Sequence, residues 1–599
     1  MNPGMSETDP AADVRRRAAV VVLLVGVAAL WLPSLFCGFV KWDDPLFCVM
    51  NPDVAHPDFV HIFDPRTWVV GDWTPLVTVT YAAERALLGD AAWVPHLTNV
   101  LLHVLGVWLV FRLLREVGFG HWESLGVALV FGVHPLQVES VTWVSARKNV
   151  LVAVFSLSFL RSYVAGRHGR ATSWLVLALC SQATAVGLPL VAAATHLLGI
   201  GAPRTRATWG WIAAWTALAA GRAAVSIAAQ ADPLVAIADL GFAGRMAYMG
   251  SVLTTQARQV LVPTGLSILY EPTRRAWTDP VLLAQWAGVA ALLAVCVLAA
   301  RRDRRLAFVG VLALAMMAPT LNVFPAPCLQ ADRYAHLPLI GIGAFLVAAI
   351  RPLERVRPWA PAALLCAWTA IVAVPTTIAR QLVWKTTYSL FDDACLKTPD
   401  SGVAWANLGA ELLEQDKLDD ARAALERAAQ LPLPKPATTA TNLGFVAYRT
   451  GDHPRAAAYL EKAIALDDGD GRAHGLLGRI LSENGRQDEA GRHLDAAARL
   501  DPDAPATWLY RAEWHVRGGD LDAARADIER ASALPGGARA VVSVAAAALF
   551  LGGQTDRAMA TLREAAPPGS SDDDVRGALA QKLRYLGRED AARTLLQSH

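Results

Sequence analysis

The sequence predicts an all-α protein in two parts: a polytopic membrane bundle of about eleven transmembrane helices, then an α-solenoid of paired helices. Three observations carry this expectation. Apolar runs comparable to the roughly 20 residues a helix needs to cross a bilayer recur up to about Thr376. Beyond them, charge and an Ala-rich helical pattern take over, although the chain as a whole is 54% hydrophobic. From Val403 onward the pattern repeats at a helix–turn–helix period of about 34 residues.

With 599 residues the chain exceeds one ordinary domain. The expected division is a cytoplasmic tail 1–17, a membrane domain 18–376, a linker 377–402 and a repeat domain 403–599. A formal net charge of +2 gives no global basic field of the kind that nucleic acid attracts. The seven cysteines show no CxxC spacing, which argues against a zinc site or a disulfide framework and leaves open only a loop pairing such as Cys48 with Cys328.

Arg15, Arg16 and Arg17 precede the first apolar run, 18–40, as they would in a secretory signal. The run is too long for that, and no small-residue cleavage site closes it before Trp42, so a retained span with a cytoplasmic amino end is expected. A polar loop with Trp68, Trp73 and Trp93 follows, suited to the headgroup layer. Further spans are expected near 95–114, 123–136, 149–164, 173–181, 188–200, 208–228, 281–300, 306–324, 336–350 and 359–376. Loop arginines, among them Arg112, Arg161, Arg167, Arg170, Arg301 and Arg355, then fall on one side, the cytoplasmic one. The loops holding Asp43, His134 to Lys148, and Asp332 fall opposite, and an odd number of spans puts the repeats there too. The stretch 246–262, with Arg258, is expected to lie on the membrane surface.

In the repeats, Asn407-Leu408-Gly409, Asn442-Leu443-Gly444 and Leu476-Leu477-Gly478 mark first helices. Ala421, Ala456, Ala490, Ala524, Ala558 and Ala592 mark second helices. Gly451, Gly485, Gly519, Gly553 and Gly587 stand five residues ahead, where the turn between helices wants positive φ. This is the tetratricopeptide pattern in about six units, whose stacked pairs form a groove for polypeptide. His453, His474, His493 and His515 follow no metal-ligand spacing.

Chemistry is sought where polar residues meet the membrane surface. Asp43 and Asp44 follow the first span directly, where carboxylates keep water yet can meet a substrate whose tail lies in lipid. The plain reading of such a pair is a solvated helix end. Three more elements fall on the same side: His134 to Glu139 with Arg147 and Lys148, then Tyr270-Glu271 with Arg274-Arg275, then Asp332-Arg333-Tyr334. Arg147, Lys148 and Arg333 are candidates to neutralise a lipid phosphate, with His134, Glu139 and Tyr334 supporting the pocket. A carboxylate could take the proton of an attacking hydroxyl. Together these describe transfer of a group from a lipid phosphate to an alcohol, and no Asp, Glu and His set suggests a metal.

At these residues the chain resembles the TMTC-type (transmembrane and tetratricopeptide repeat) protein O-mannosyltransferase family of the polytopic C-type glycosyltransferase superfamily. The resemblance runs through Trp42-Asp43-Asp44, Trp73-Thr74-Pro75-Leu76, His96 to His103 with Asn99, His134 to Glu139, Ser145 to Leu151, Pro263 to Leu266 and Asp332 to Pro338, and on into the repeats. It implies inverting, metal-independent transfer of a sugar, typically mannose, from a polyprenyl-phosphate carrier to protein Ser or Thr hydroxyls on the non-cytoplasmic side. By the same resemblance Asp43 is the general base, Asp44 its partner in positioning acceptor or sugar, and Arg147 and Lys148 the carrier-phosphate ligands. Asn149 stands where the family's Arg-Lys-Asp motif has its acid, and Ser181-Gln182-Ala183 where its Ser-Lys-Glu motif carries two charges. No cofactor is implied beyond the lipid-linked sugar as co-substrate. Two other readings stand beside this one: a transferase acting on a lipid or envelope polysaccharide, and an inactive membrane-anchored scaffold.

Overall fold

The computed structural model describes residues 10–201, 205–229, 241–270, 278–321 and 330–597. Their regular structure is helical, with one isolated bridge from Val69 to Asp72 and no strand among them. The chain divides into two compact units, Met1–Asp400 and Ser401–His599.

In the first unit five helical stretches are long and apolar enough to cross a membrane: Ala11–Phe36, Trp93–Val117, Arg206–Ala229, Pro280–Arg302 and Ala360–Val383. His121–Val133 and Pro135–Thr142, bent by 54° at His134, would add a sixth if they form one broken span. Eleven were expected, and helices do occur at the remaining positions, but most are short; Arg147–Val164, with 18 residues, carries Arg147, Lys148 and Arg161. Leu188–Leu198, Arg304–Met317 and Pro338–Ile350 have 11, 14 and 13 residues. At 1.5 Å per residue such helices run roughly 17 to 21 Å, less than the ~30 Å hydrocarbon core. Proline is one reason, since Pro319 follows Met317 in a 3-10 turn and Pro135 separates the two arms of the bent pair. The stretch expected on the membrane surface belongs to a 21-residue helix, Gly241–Leu261.

The distribution of polarity in this unit is that of a membrane protein. Leu283, Leu292, Val295 and Leu298 of Pro280–Arg302 are exposed, while Arg147, Glu139 and Asp44 are buried. Apolar atoms turned outward and ion pairs turned inward are stable where the surroundings are lipid.

The second unit is six successive helix pairs, from Gly402–Glu414 with Leu418–Ala429 to Asp572–Tyr585 with Glu589–Gln597. The six marker alanines are all completely buried, because at those positions the paired helices touch. Each turn glycine has positive φ, from 72° at Gly587 to 89° at Gly519, and the first unit uses Asp416 at φ 60° instead. The first-helix glycines serve close approach: a Cβ on Gly478 would lie 2.7 Å from Leu494 Cγ and 3.1 Å from the Ala490 carbonyl oxygen. Gly478→Ala is therefore expected to cost about 1–3 kcal/mol from overpacking, reduced by somewhat under 1 kcal/mol from alanine's better helix propensity. Urea unfolding of the repeat unit checks this, and an unchanged midpoint would show that the pair can spread.

Candidate active site

The first long helix, Pro10–Trp31, gives way to a 3-10 turn, Leu32–Phe36, and the chain then runs extended into Trp42-Asp43-Asp44. The two acids have different surroundings. Asp44 is buried and accepts three hydrogen bonds, from Val40 N at 2.8 Å, Ser145 N at 2.9 Å and Ser145 Oγ at 2.5 Å. It ties the loop to the segment just ahead of Arg147. Burial pushes its carboxyl up to about 6 despite those donors from Ser145 and Val40. Asp43 is half-buried, and its carboxylate makes no hydrogen bond or ion pair among the described residues. Burial raises its pKa, against the pull of the Lys148 and Arg333 charges.

Arg147 and Lys148 open the helix Arg147–Val164, and successive positions on a helix point about 100° apart. Arg147 turns inward and is fully buried. Its guanidinium pairs with Glu84 at 2.7 Å and donates to Asn99 Oδ1 at 2.9 Å, Thr80 Oγ1 at 3.2 Å and the Pro95 carbonyl at 2.8 Å. It also stacks 4.2 Å from the Tyr81 ring centroid. Protein groups thus fill the fork expected to meet a carrier phosphate. Lys148 turns the other way, to Asp72 Oδ2 at 3.1 Å, with its ammonium 5.3 Å from the Phe47 ring centroid. The second oxygen of Asp72 takes Arg222 at 3.1 Å. Burial alone would raise the Asp72 pKa, but Lys148 and Arg222 hold it below the usual carboxylate value. Asp72 closes a tight turn in which Val70 and Gly71 both have positive φ, 51° and 69°, a strained conformation for a β-branched residue.

Asp332-Arg333-Tyr334 forms a 3-10 turn, Asp332–Ala335. The Arg333 guanidinium pairs with Glu139, and its backbone N donates to Glu139 Oε2 at 2.9 Å. Trp143 and Tyr334 lie 5.5 and 5.4 Å from the guanidinium. Tyr270 donates its hydroxyl to Asp332, whose carboxyl is raised by burial and by Glu139. His134 accepts from Leu136 N at 3.1 Å through Nδ1 and bonds the Val260 carbonyl at 2.9 Å through Nε2. That pattern requires the neutral ring protonated on Nε2, so His134 pins a loop.

Asn149, Gln182, Thr184, Thr320, Arg333 and Tyr334 line a crevice of ≈ 20 Å³. Gln182 Nε2 donates to Asn149 Oδ1 at 2.9 Å, and the buried Asn149 Nδ2 has no partner among the described residues. Of the predicted residues, Asp43, Lys148 and Arg333 thus share one electrostatic neighbourhood, with Lys148 paired to Asp72 and Arg333 to Glu139, whereas Asp44, Arg147 and His134 are held by other protein groups. Glu271, Arg274, Arg275 and Cys328 lie outside the described residues, and Cys48 is a free thiol. Glu84, Asp72, Ser145 and Arg222 were missed as site residues. The available signal was a charged side chain inside a mostly apolar helix, as for Glu84 in Pro75–Leu88 and Arg222 in Arg206–Ala229. Among the described residues no three His, Cys, Asp or Glu side chains group as metal ligands.

Comparison with known proteins finds similarity in the repeats. The tetratricopeptide repeat family model matches residues 406–471, 441–505 and 476–538. Protein O-mannosyl-transferase Tmtc2 of Drosophila melanogaster is 31% identical over 179 residues, 28% of this chain and 18% of the fly protein. Protein O-mannosyl-transferase TMTC3 of Mus musculus is 30% identical over 162 residues, 25% of this chain and 17% of the mouse protein. The matches fall in the repeat region and span under a fifth of these relatives' length. Among solved structures, a thermophilic tetratricopeptide repeat protein from Thermus thermophilus is 22% identical, with a TM-score of 0.27, covering 31% of this chain and all of that one. In its repeats the chain is thus similar to the TMTC-type protein O-mannosyl-transferases, and it also carries bilayer-length apolar helices.

Proposed function

We propose that the protein is an integral-membrane glycosyltransferase that moves mannose from a polyprenyl-phosphate carrier to Ser or Thr hydroxyls of polypeptides on the non-cytoplasmic side. The short helices would complete a polytopic bundle of the C-type glycosyltransferase kind around the five long ones. The amino terminus would be cytoplasmic and the repeats non-cytoplasmic. One observation carries this reading: directly after the first span stands a half-buried carboxylate, Asp43, free of hydrogen bonds among the described residues, within the field of Lys148 and Arg333.

In this reaction the acceptor oxygen attacks the anomeric carbon while its proton passes to Asp43. The bond from that carbon to the phosphate oxygen breaks, and its electron pair leaves with the polyprenyl phosphate. A phosphate needs no proton to leave if cations receive it, so one base suffices. Lys148 and Arg333 supply that charge by sharing it between the donor and their resting partners, Asp72 and Glu139. The unpartnered Asn149 Nδ2 offers a neutral donor at the crevice. Arg147, engaged by Glu84, serves as a positioning residue that holds Lys148 at its angle.

The repeats would hold the acceptor. Arg479 stands among the rings of Tyr448, Tyr510 and Tyr585 at 5.3, 4.9 and 5.5 Å, a surface suited to extended polypeptide. Deleting Val403 to His599 is expected to impair transfer to protein acceptors more than to short hydroxyl peptides, and equal losses would count against acceptor selection. The decisive assay is cell-free, with a polyprenyl-phosphate mannose donor and intact-mass readout. The scaffold reading, favoured by the complete engagement of Arg147, expects no turnover from the wild type in that assay.

A further inference from the structure

The helix Arg147–Val164 also has a charged far end, and the proposed transfer does not use it. A cavity of ≈ 290 Å³ lies there, bordered by Arg112, Glu116, Arg161, Arg167 and Arg170. We propose that this cavity binds the phosphate group of an anionic phospholipid headgroup.

The charge balance comes first. Four arginines face one carboxylate, so the lining carries a net of three positive charges. Glu116 is committed to Arg161, at 2.6 Å, and lies 3.7 Å from Arg112. Arg167 and Arg170 make no ion pair among the described residues. Helix electrostatics explain only half of this cluster. Arg112 and Arg161 lie near the carboxyl ends of their helices, where cations complement the dipole. Arg167 caps the amino end of His168–Leu179 and Arg170 sits in its first turn, where a cation is disfavoured. An anion bound there would offset that placement.

The lining fits a phosphate. Guanidinium forks match phosphate oxygens in pairs, and the hydroxyls of Ser158 and Ser162, which also line the cavity, make no hydrogen bond among the described residues. The source is argued from the surroundings. Trp174 is part of the wall, and Trp108 lies 5.4 Å from the Arg112 guanidinium and 5.5 Å from that of Arg161. Tryptophan beside arginine at the end of a bilayer-length helix, here Trp93–Val117, is the composition of the headgroup layer. Basic pockets between membrane helices hold lipid head groups in this way. Arg147 and Arg161 are 14 positions apart on one helix, or about 21 Å, so this site is distinct from the one around Asp43.

The test uses the full chain in nanodiscs of phosphatidylcholine, alone or with phosphatidylglycerol, reading retained lipid by native mass spectrometry and melting temperature in parallel. The wild type is expected to retain phosphatidylglycerol and to melt higher in its presence. At about 1 kcal/mol for each basic residue near an anionic surface, the double variant R167Q/R170Q should bind it roughly 30-fold more weakly. The exposed pair R355Q/R357Q, outside the cavity, is expected to behave as wild type. Equal retention by R167Q/R170Q overturns the proposal, as does an equal loss in the R355Q/R357Q control, which would indicate diffuse surface attraction. If inorganic phosphate in phosphatidylcholine discs raises the melting temperature as much as phosphatidylglycerol does, the ligand is a soluble anion and the lipid assignment fails.

Discussion

Asp43→Asn is expected to fold and insert like the wild type and to lose mannosyl transfer by about 10²- to 10⁴-fold, the usual contribution of a general base. Asparagine keeps the shape of the side chain but cannot take the proton. Because no hydrogen bond or ion pair among the described residues depends on the Asp43 carboxylate, and burial disfavours its charge, the substitution should not lower the melting temperature. The pH profile adds an independent check. Burial raises the Asp43 pKa, and only the ionised form acts as a base, so transfer is present above that pKa and lost as pH falls through it. The acid limb should therefore lie above the ~3.9 of an ordinary aspartate. Wild-type turnover by the asparagine variant would remove Asp43 from the mechanism.

Arg147→Ala should fail for a different reason. It leaves Glu84, largely buried, without its counter-ion and strips Asn99 and the Pro95 carbonyl of a donor. Removing one partner of a buried ion pair costs about 3–5 kcal/mol, so the variant should melt well below the wild type whether or not donor is present. A residue serving only as a phosphate ligand would instead weaken donor binding at unchanged stability. The double variant Arg147→Ala/Glu84→Ala removes the orphaned charge and is expected to recover part of the loss. Recovery of none would show that the hydrogen bonds and the Tyr81 stacking, not the ion pair, hold this region.

The adjacent pairs 43–44 and 147–148 show where sequence reading reaches and where it stops. Both were legible as charged groups at a membrane boundary, because their residue types and distance from apolar runs are visible in the chain. Which member of each pair is buried among protein partners was not. Asp44 is claimed by Val40 and Ser145, the latter 101 positions away, and Arg147 by residues 48 to 67 positions earlier. Asp72 was passed over because its role depends on Arg222, 150 positions later.

The helical class, the repeat period, the buried alanines and the turn glycines follow from the sequence alone, since all rest on interactions within one helix pair of about 34 residues. Helix lengths in the membrane unit, and the separation of Asp43 and Lys148 from their buried neighbours, were decided only by tertiary packing. A hydrophobic run says that a segment avoids water. How far it continues before it bends, and which of two adjacent charges is neutralised inside, depends on partners that the chain brings together only after it has folded.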